Sequence, residues 1–141
     1  MIVAVTGGRD RFITLEGALY FHNKLKELGA TELINGGAHG IDSCVDFLSH
    51  LWGVKKVIFR AKWDELGPAA GPERNGRMAD YADVGIAFRG GKGTANMIQQ
   101  MSERGKRMIS LVDARFTSDD FWSEDSIYRQ EAIKQLKGLS L

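Results

Sequence analysis

The sequence predicts an α/β fold, a Rossmann-like, doubly wound sheet of about five mainly parallel strands. Two observations carry this: short apolar runs alternate with longer amphipathic stretches, and three of the apolar runs end in glycine-rich turns. Several runs are apolar at consecutive positions, as strands covered by helices on both faces require. The 141 residues suit one domain with a single core.

Taken in order, Ile2–Val5 opens the chain as a strand, and Leu15–Leu28 follows as a helix. Its Leu15, Ala18, Leu19, His22, Leu25 and Leu28 recur at helical spacing. Glu32–Asn35 is the second strand and Ile41–Trp52 the second helix. Val54–Phe59 is the third strand, and a long polar loop, Arg60–Gly71, comes after it. Pro72 suits the first turn of a helix over about Glu73–Tyr81. Val84–Phe88, a helix over Thr94–Arg104 and a last strand, Met108–Val112, complete the sheet. The commonest order for such a sheet is 3-2-1-4-5. Residues 113–141 form a C-terminal extension in which Tyr128, Ala132 and Leu136 recur at i, i+4, predicting a helix over about 124–137. This stripe must be covered, by the chain's own sheet or by a second copy in a homo-oligomer.

Composition excludes several classes. With 19 basic and 18 acidic residues the formal net charge is +1, which supplies no global attraction to nucleic acid or an anionic membrane. The single Cys44 rules out an internal disulfide, and His22, His39 and His50 are too scattered for a zinc cluster, so no metal or cofactor is expected. The opening MIVAVTGG breaks to glycine too early for a signal peptide or a membrane span, and the cytosol is the expected compartment.

The glycine-rich turns carry the functional argument. They read Thr6-Gly7-Gly8-Arg9-Asp10, Gly36-Gly37-Ala38-His39-Gly40 and Gly90-Gly91-Lys92-Gly93-Thr94, and all follow strands. In an open parallel sheet the carboxyl ends share one edge, and ligands bind where the strand order reverses. The first and third of these turns would face each other there. Glycine lets backbone amides approach an anion, and the helix that follows adds free N–H donors. A phosphate is the natural occupant. Walker A fails, because Gly93 separates Lys92 from Thr94 and Ile86 occupies the earlier glycine position. The dinucleotide fingerprint fails in TGGRDRF for want of three spaced glycines. Within the long loop, Trp63 offers a ring to stack on a base. Arg74 and Arg77, placed in the first turns of the next helix, oppose its dipole unless an anion is bound.

Five segments, TGGRD (6–10), GGAHGID (36–42), AKWD (61–64), AAGPERNGRM (69–78) and AFRGGKGTANM (87–97), are similar in order and spacing to the YspA-related branch of the SLOG superfamily. The similarity spans residues 1–112. It implies a Rossmann-like fold and a pocket for a nucleotide or nucleotide-derived ligand, with many members proposed as sensors or effectors in bacterial and phage conflict. Within the superfamily, the LONELY GUY phosphoribohydrolases use an Arg of R-K-x-x-M and a Glu of P-G-G-x-G-T-x-x-E. Arg74-Asn75-Gly76-Arg77-Met78 keeps that Arg, which implies a phosphate or ribose contact. The second motif keeps Gly90, Gly91, Gly93 and Thr94, but Met97 stands where the Glu belongs and Arg89 replaces the Pro. Methionine cannot do a carboxylate's work in glycosidic cleavage.

The expectation is therefore a binder or sequestrant of a nucleotide signal. Thr6, Gly7, Gly8, Arg9, Gly37, His39, Trp63, Arg74, Asn75 and the Gly90–Thr94 loop, with Lys92 adding charge, form its ligand set. A base-releasing hydrolase with Arg74 and a carboxylate displaced to Asp10 or Asp42 is the alternative. Nucleic-acid binding, suggested by the distant relationship to DNA-processing protein A and the Arg104-Lys106-Arg107 cluster, is the weakest, since the net charge is near zero.

Overall fold

The computed structural model describes residues 1–141. Strand β1 (Ile2–Thr6) lies at the centre of the sheet, flanked by β3 (Glu32–Asn35) and β5 (Val84–Phe88), with β4 (Lys55–Ile58) and β6 (Met108–Leu111) at the edges. The order β4-β3-β1-β5-β6 is the expected 3-2-1-4-5, and every pairing is parallel. Each strand agrees with its expected span to within a residue at either end. Short β2 (Phe12–Ile13) and β7 (Thr117–Ser118) pair antiparallel to one side.

Alternation along the strands divides the core in two. Val3 and Val5 of β1 and Val84, Ile86 and Phe88 of β5 point to one face, where helices α1 (Leu15–Leu28) and α2 (Ile41–Trp52) cover them with Phe21, Leu25, Val45 and Leu48. Ala4 and Ile34 point to the other face, against Met78 and Ala79 of α4 (Ala70–Tyr81) and Met97 and Met101 of α5 (Lys92–Glu103). Helix α1 is bounded by its own chemistry. The Thr14 side chain accepts from the Gly17 amide at its start, and Gly29 ends it in the left-handed conformation at φ 63°.

Three elements differ from the sequence reading. The loop after β4 folds into a short helix α3 (Trp63–Leu66) and a 3-10 turn (Gly67–Ala69) that runs directly into α4. Helix α4 thus begins three residues before Glu73, and Arg74 and Arg77 lie beyond its first turn, where the dipole no longer bears on them. The last helix, α6, covers only Gln130–Lys137. Upstream, the Trp122 amide donates to Asp120 and the Tyr128 amide to the Ser126 hydroxyl, local bonds that compete with a helix. The C-terminal stripe is covered by the chain itself: Ile127 and Leu136 join the α1–α2 core, and Trp52 Nε1 donates to the Leu136 carbonyl at 3.0 Å. His22 Nε2 meets the Ser140 carbonyl at 2.9 Å. No helix is long and apolar enough to cross a membrane.

Candidate functional site

The topology brings the glycine turns together at the carboxyl edge of the sheet. Thr6 pairs with Ala87 in register, so the turns after β1 and β5 leave the sheet side by side, and the Gly8 amide donates to the Arg89 carbonyl at 2.9 Å. The Ile41 amide donates to the Gly8 carbonyl at 3.1 Å, which ties the start of α2 to the same turn. A side chain at Gly7 would meet Ile41 of the core at 2.5–2.8 Å, so this turn is held close to α2 by the lack of one.

Between the turns lies a cleft of about 460 Å³, within the size range of small-molecule sites. Its walls are Thr6 to Asp10 on one side and Gly91 to Thr94 on the other, with Asp42, Arg74 and Asn75 closing it. A recess of about 200 Å³ adjoins it, lined by the second glycine turn with Gly37 and His39 and by Arg60 and Trp63. A third hollow of about 340 Å³ runs between Trp63, Pro72 and Lys92. Arg9 and Arg74 line all three, so the three adjoin around these two side chains and together make up the groove on this edge. Gly90 lines none of them; it is packed beneath Thr94 and against the Gly8 amide.

The start of α5 is open to this cleft. Its backbone bonds begin with the Ala95 amide donating to Gly91, no side chain caps the helix, and no acidic residue lies in the first turn. The amides of Lys92, Gly93 and Thr94 are thus left without acceptors in the chain. Thr94 is 6% exposed, lines the cleft, and its hydroxyl makes no hydrogen bond within the chain. Its oxygen is not among the enclosed atoms left without a partner, which are Glu32 Oε2 and Thr117 Oγ1, so it opens to the cleft as a free group for a ligand.

Arg74 is pinned rather than loose. Its Nη1 donates to the Gly36 carbonyl at 2.8 Å and the Phe59 carbonyl at 3.4 Å, and its Nε to Asn75 Oδ1 at 3.0 Å. That leaves the second terminal nitrogen of the guanidinium with no acceptor in the chain. Asn75, expected among the ligand residues, is committed to the protein: its amide donates to the Gly93 carbonyl and to Asn96. Through it α4 and α5 hold Arg74 beside the anion edge. Arg77 is occupied elsewhere, paired with Glu73 at 2.8 Å.

Asp42, 8% exposed in the first turn of α2, accepts from the Ala38 amide at 3.0 Å. Burial pushes its carboxyl up to about 6, against the opposing pull of the Ala38 amide, Arg74 and the Gly36 amide. Burial likewise presses the Arg74 guanidinium downward, with Asp42 opposing and Arg9 and Arg77 adding to it. Asp10 also lines the cleft but is exposed. Met97, at the position of the expected glutamate, is fully enclosed with Met78 and Met101 on the α4–α5 face.

Trp63 is 49% exposed, with the Arg9 guanidinium 5.7 Å from its ring centroid. In the Arg104-Lys106-Arg107 cluster, Arg104 pairs with Asp80 at 2.7 Å and Lys106 caps the end of α4 through the Ala79 and Asp80 carbonyls. Those two cations are spent on the fold.

Two contributors to the groove were not singled out from sequence. Arg60 sits at a strand end with no motif around it. Asn35 is fully buried and shapes the second turn, its Oδ1 accepting from the Gly37 amide at 2.7 Å and its Nδ2 donating to Asp46 at 2.8 Å. An Asn at the end of a strand directly before Gly-Gly is the signal that could have found it. Compared with known proteins, the chain matches no protein-family model and no curated protein sequence.

Proposed function

We propose that this protein binds a nucleotide or nucleotide-derived small molecule, with a phosphate seated at the start of α5, and serves as its sensor or sequestrant. The observation that carries this is the coincidence, on one wall of one cleft, of three acceptor-less amides and the unpartnered Thr94 hydroxyl. An anion there completes all four donors and meets the positive end of the helix dipole. Arg74, held by Gly36 and Asn75, adds a charge-assisted bond at no further ordering cost. Trp63, half-exposed beside Arg9, offers its ring to the base across the groove. Membership of the SLOG superfamily, and with it a part in bacterial or phage conflict, belongs to the same reading and rests on the sequence motifs.

The test is mass spectrometry of small molecules released on denaturing the purified protein, followed by incubation of any nucleotide found with fresh protein. A nucleotide recovered intact and unchanged on incubation supports a binder; robust turnover would sink that role.

One observation favours a second reading, base-releasing hydrolysis. Asp42 is a carboxyl brought to about 6 in the same cleft, beside Arg74, which is where a group exchanging protons near neutrality works best. In that reaction the bond from the sugar C1′ to the base nitrogen breaks and water adds to C1′. The base nitrogen gains one proton and the water loses one, both through Asp42. Free base and ribose 5-phosphate from a nucleoside 5′-monophosphate, abolished by Asp42→Asn with binding retained, support it. Activity unchanged in both Asp42→Asn and Asp10→Asn eliminates it.

A further inference from the structure

The groove carries more positive charge than a single phosphate at α5 uses. We infer that the ligand bears two phosphoryl groups, the second lodging in the recess between the second glycine turn and Arg60. This deepens the phosphate-binding reading and rests on it.

Three arginines, Arg9, Arg60 and Arg74, line the recess, and no acidic residue does. Both acids of the groove, Asp10 and Asp42, face the neighbouring cleft instead. Like charges gathered in a concave site repel one another; solvent screens the exposed Arg9 and Arg60 and Asp42 offsets part of the charge at Arg74, and a bound anion relieves what is left. Arg77, Arg104 and Arg115 each meet a carboxylate at 2.7–3.0 Å, whereas Arg11, Arg89 and Arg107 are unpaired like Arg9 and Arg60 but line no cavity; what sets the recess apart is that three arginines converge there. The side chains of Arg9 and Arg60 make no ion pair and no hydrogen bond within the chain.

Arg60 is also positioned rather than merely present. Its main-chain carbonyl accepts from Arg77 Nη2 at 2.8 Å, which fixes the backbone. Its guanidinium lies against Gly37, where an added Cβ would stand 2.8 Å from Nη1. Gly37 holds φ 69°, so the turn both needs glycine and leaves the room Arg60 occupies. Arg9 is steadied over the Trp63 ring. Arg74 lines both the cleft and the recess and keeps one terminal nitrogen without an acceptor in the chain, which suits a group shared between two adjacent phosphoryl groups. A nucleoside monophosphate seated on Gly91–Thr94 leaves Arg60 unanswered; a 5′-diphosphate or a 3′,5′-bisphosphate answers it.

The experiment is calorimetric titration of wild type, Arg60→Ala and Thr94→Val with the 5′-monophosphates, 5′-diphosphates and 3′,5′-bisphosphates of adenosine and guanosine. Arg60 is exposed and its side chain bonds to nothing, so Arg60→Ala folds as wild type does, which a thermal melt checks. We expect at least one two-phosphate ligand to bind tenfold or more tightly than the monophosphate of the same base. Arg60→Ala should erase that gap while leaving monophosphate affinity within twofold, and Thr94→Val should weaken both kinds. Equal affinity for mono- and two-phosphate ligands, or a gap that survives Arg60→Ala, overturns the second subsite and leaves the first standing. No binding by any of the six overturns both.

Discussion

Thr94 and Asp42 each hold a polar group where the protein alone gives it poor company. For Thr94 the consequence separates stability from binding. Thr94→Val replaces an unpartnered hydroxyl by a methyl of similar shape, so the thermal midpoint of the free protein should hold or rise. Phosphate-ligand affinity should fall about tenfold or more, since a hydrogen bond to a charged group contributes about 1.5–3 kcal/mol. Calorimetry beside a melting curve checks both directions at once. For Asp42 the consequence is a pH dependence. Its folded carboxyl is raised from 3.8 to about 6, so between those values the folded protein holds more protons than the unfolded chain. Stability contributed at low pH is therefore lost as pH rises through about 6, up to about 3 kcal/mol. Asp42→Asn removes the titration, and the variant's midpoint should gain on wild type from about pH 4 and level off above about pH 6. A difference between the two melts that does not change with pH contradicts it.

At the scale of elements, the turns act as spacers whose missing side chains set distances. Gly7→Ala would press a methyl into Ile41, and because Ile41 is fully buried the collision has no easy relief; chemical denaturation should register a loss of about 1–3 kcal/mol. Gly36→Ala has a different outcome, since the group in its way is the Arg74 guanidinium. Displacing it breaks its bonds to the Gly36 and Phe59 carbonyls, so ligand affinity should fall tenfold or more and stability by about 1–3 kcal/mol. The strands and the three turns were legible in sequence because periodicity and glycine placement encode them locally, while the strand order followed from the commonest arrangement of such a sheet. The segments that misled are those where local chemistry competes. Residues 63–69 make short helical turns too brief for a periodic signal, and the serines and aspartates of 118–126 draw amides away from a longer helix. The grouping of Arg9, Arg60 and Arg74 was not legible, since it depends on three elements meeting at one sheet edge.

For the whole molecule, the C-terminal segment closes the α1–α2 face and so supports the site from behind. Leu136 is fully buried in that core, and Leu136→Ala should cost about 2–5 kcal/mol, read as a shift in the denaturation midpoint. The same face holds Ile41, whose amide bonds the Gly8 carbonyl, so the fold's stability and the geometry of the anion edge are joined through α2. The most direct test of the central claim is a backbone amide spectrum of the isotope-labelled protein titrated with the adenosine and guanosine 5′-mono- and 5′-diphosphates. Phosphate bound at the start of α5 predicts saturable, downfield shifts of the Lys92, Gly93 and Thr94 amides, absent in Arg74→Ala or much weakened there. Unmoved amides at those three positions, with all four nucleotides present in excess, would contradict it.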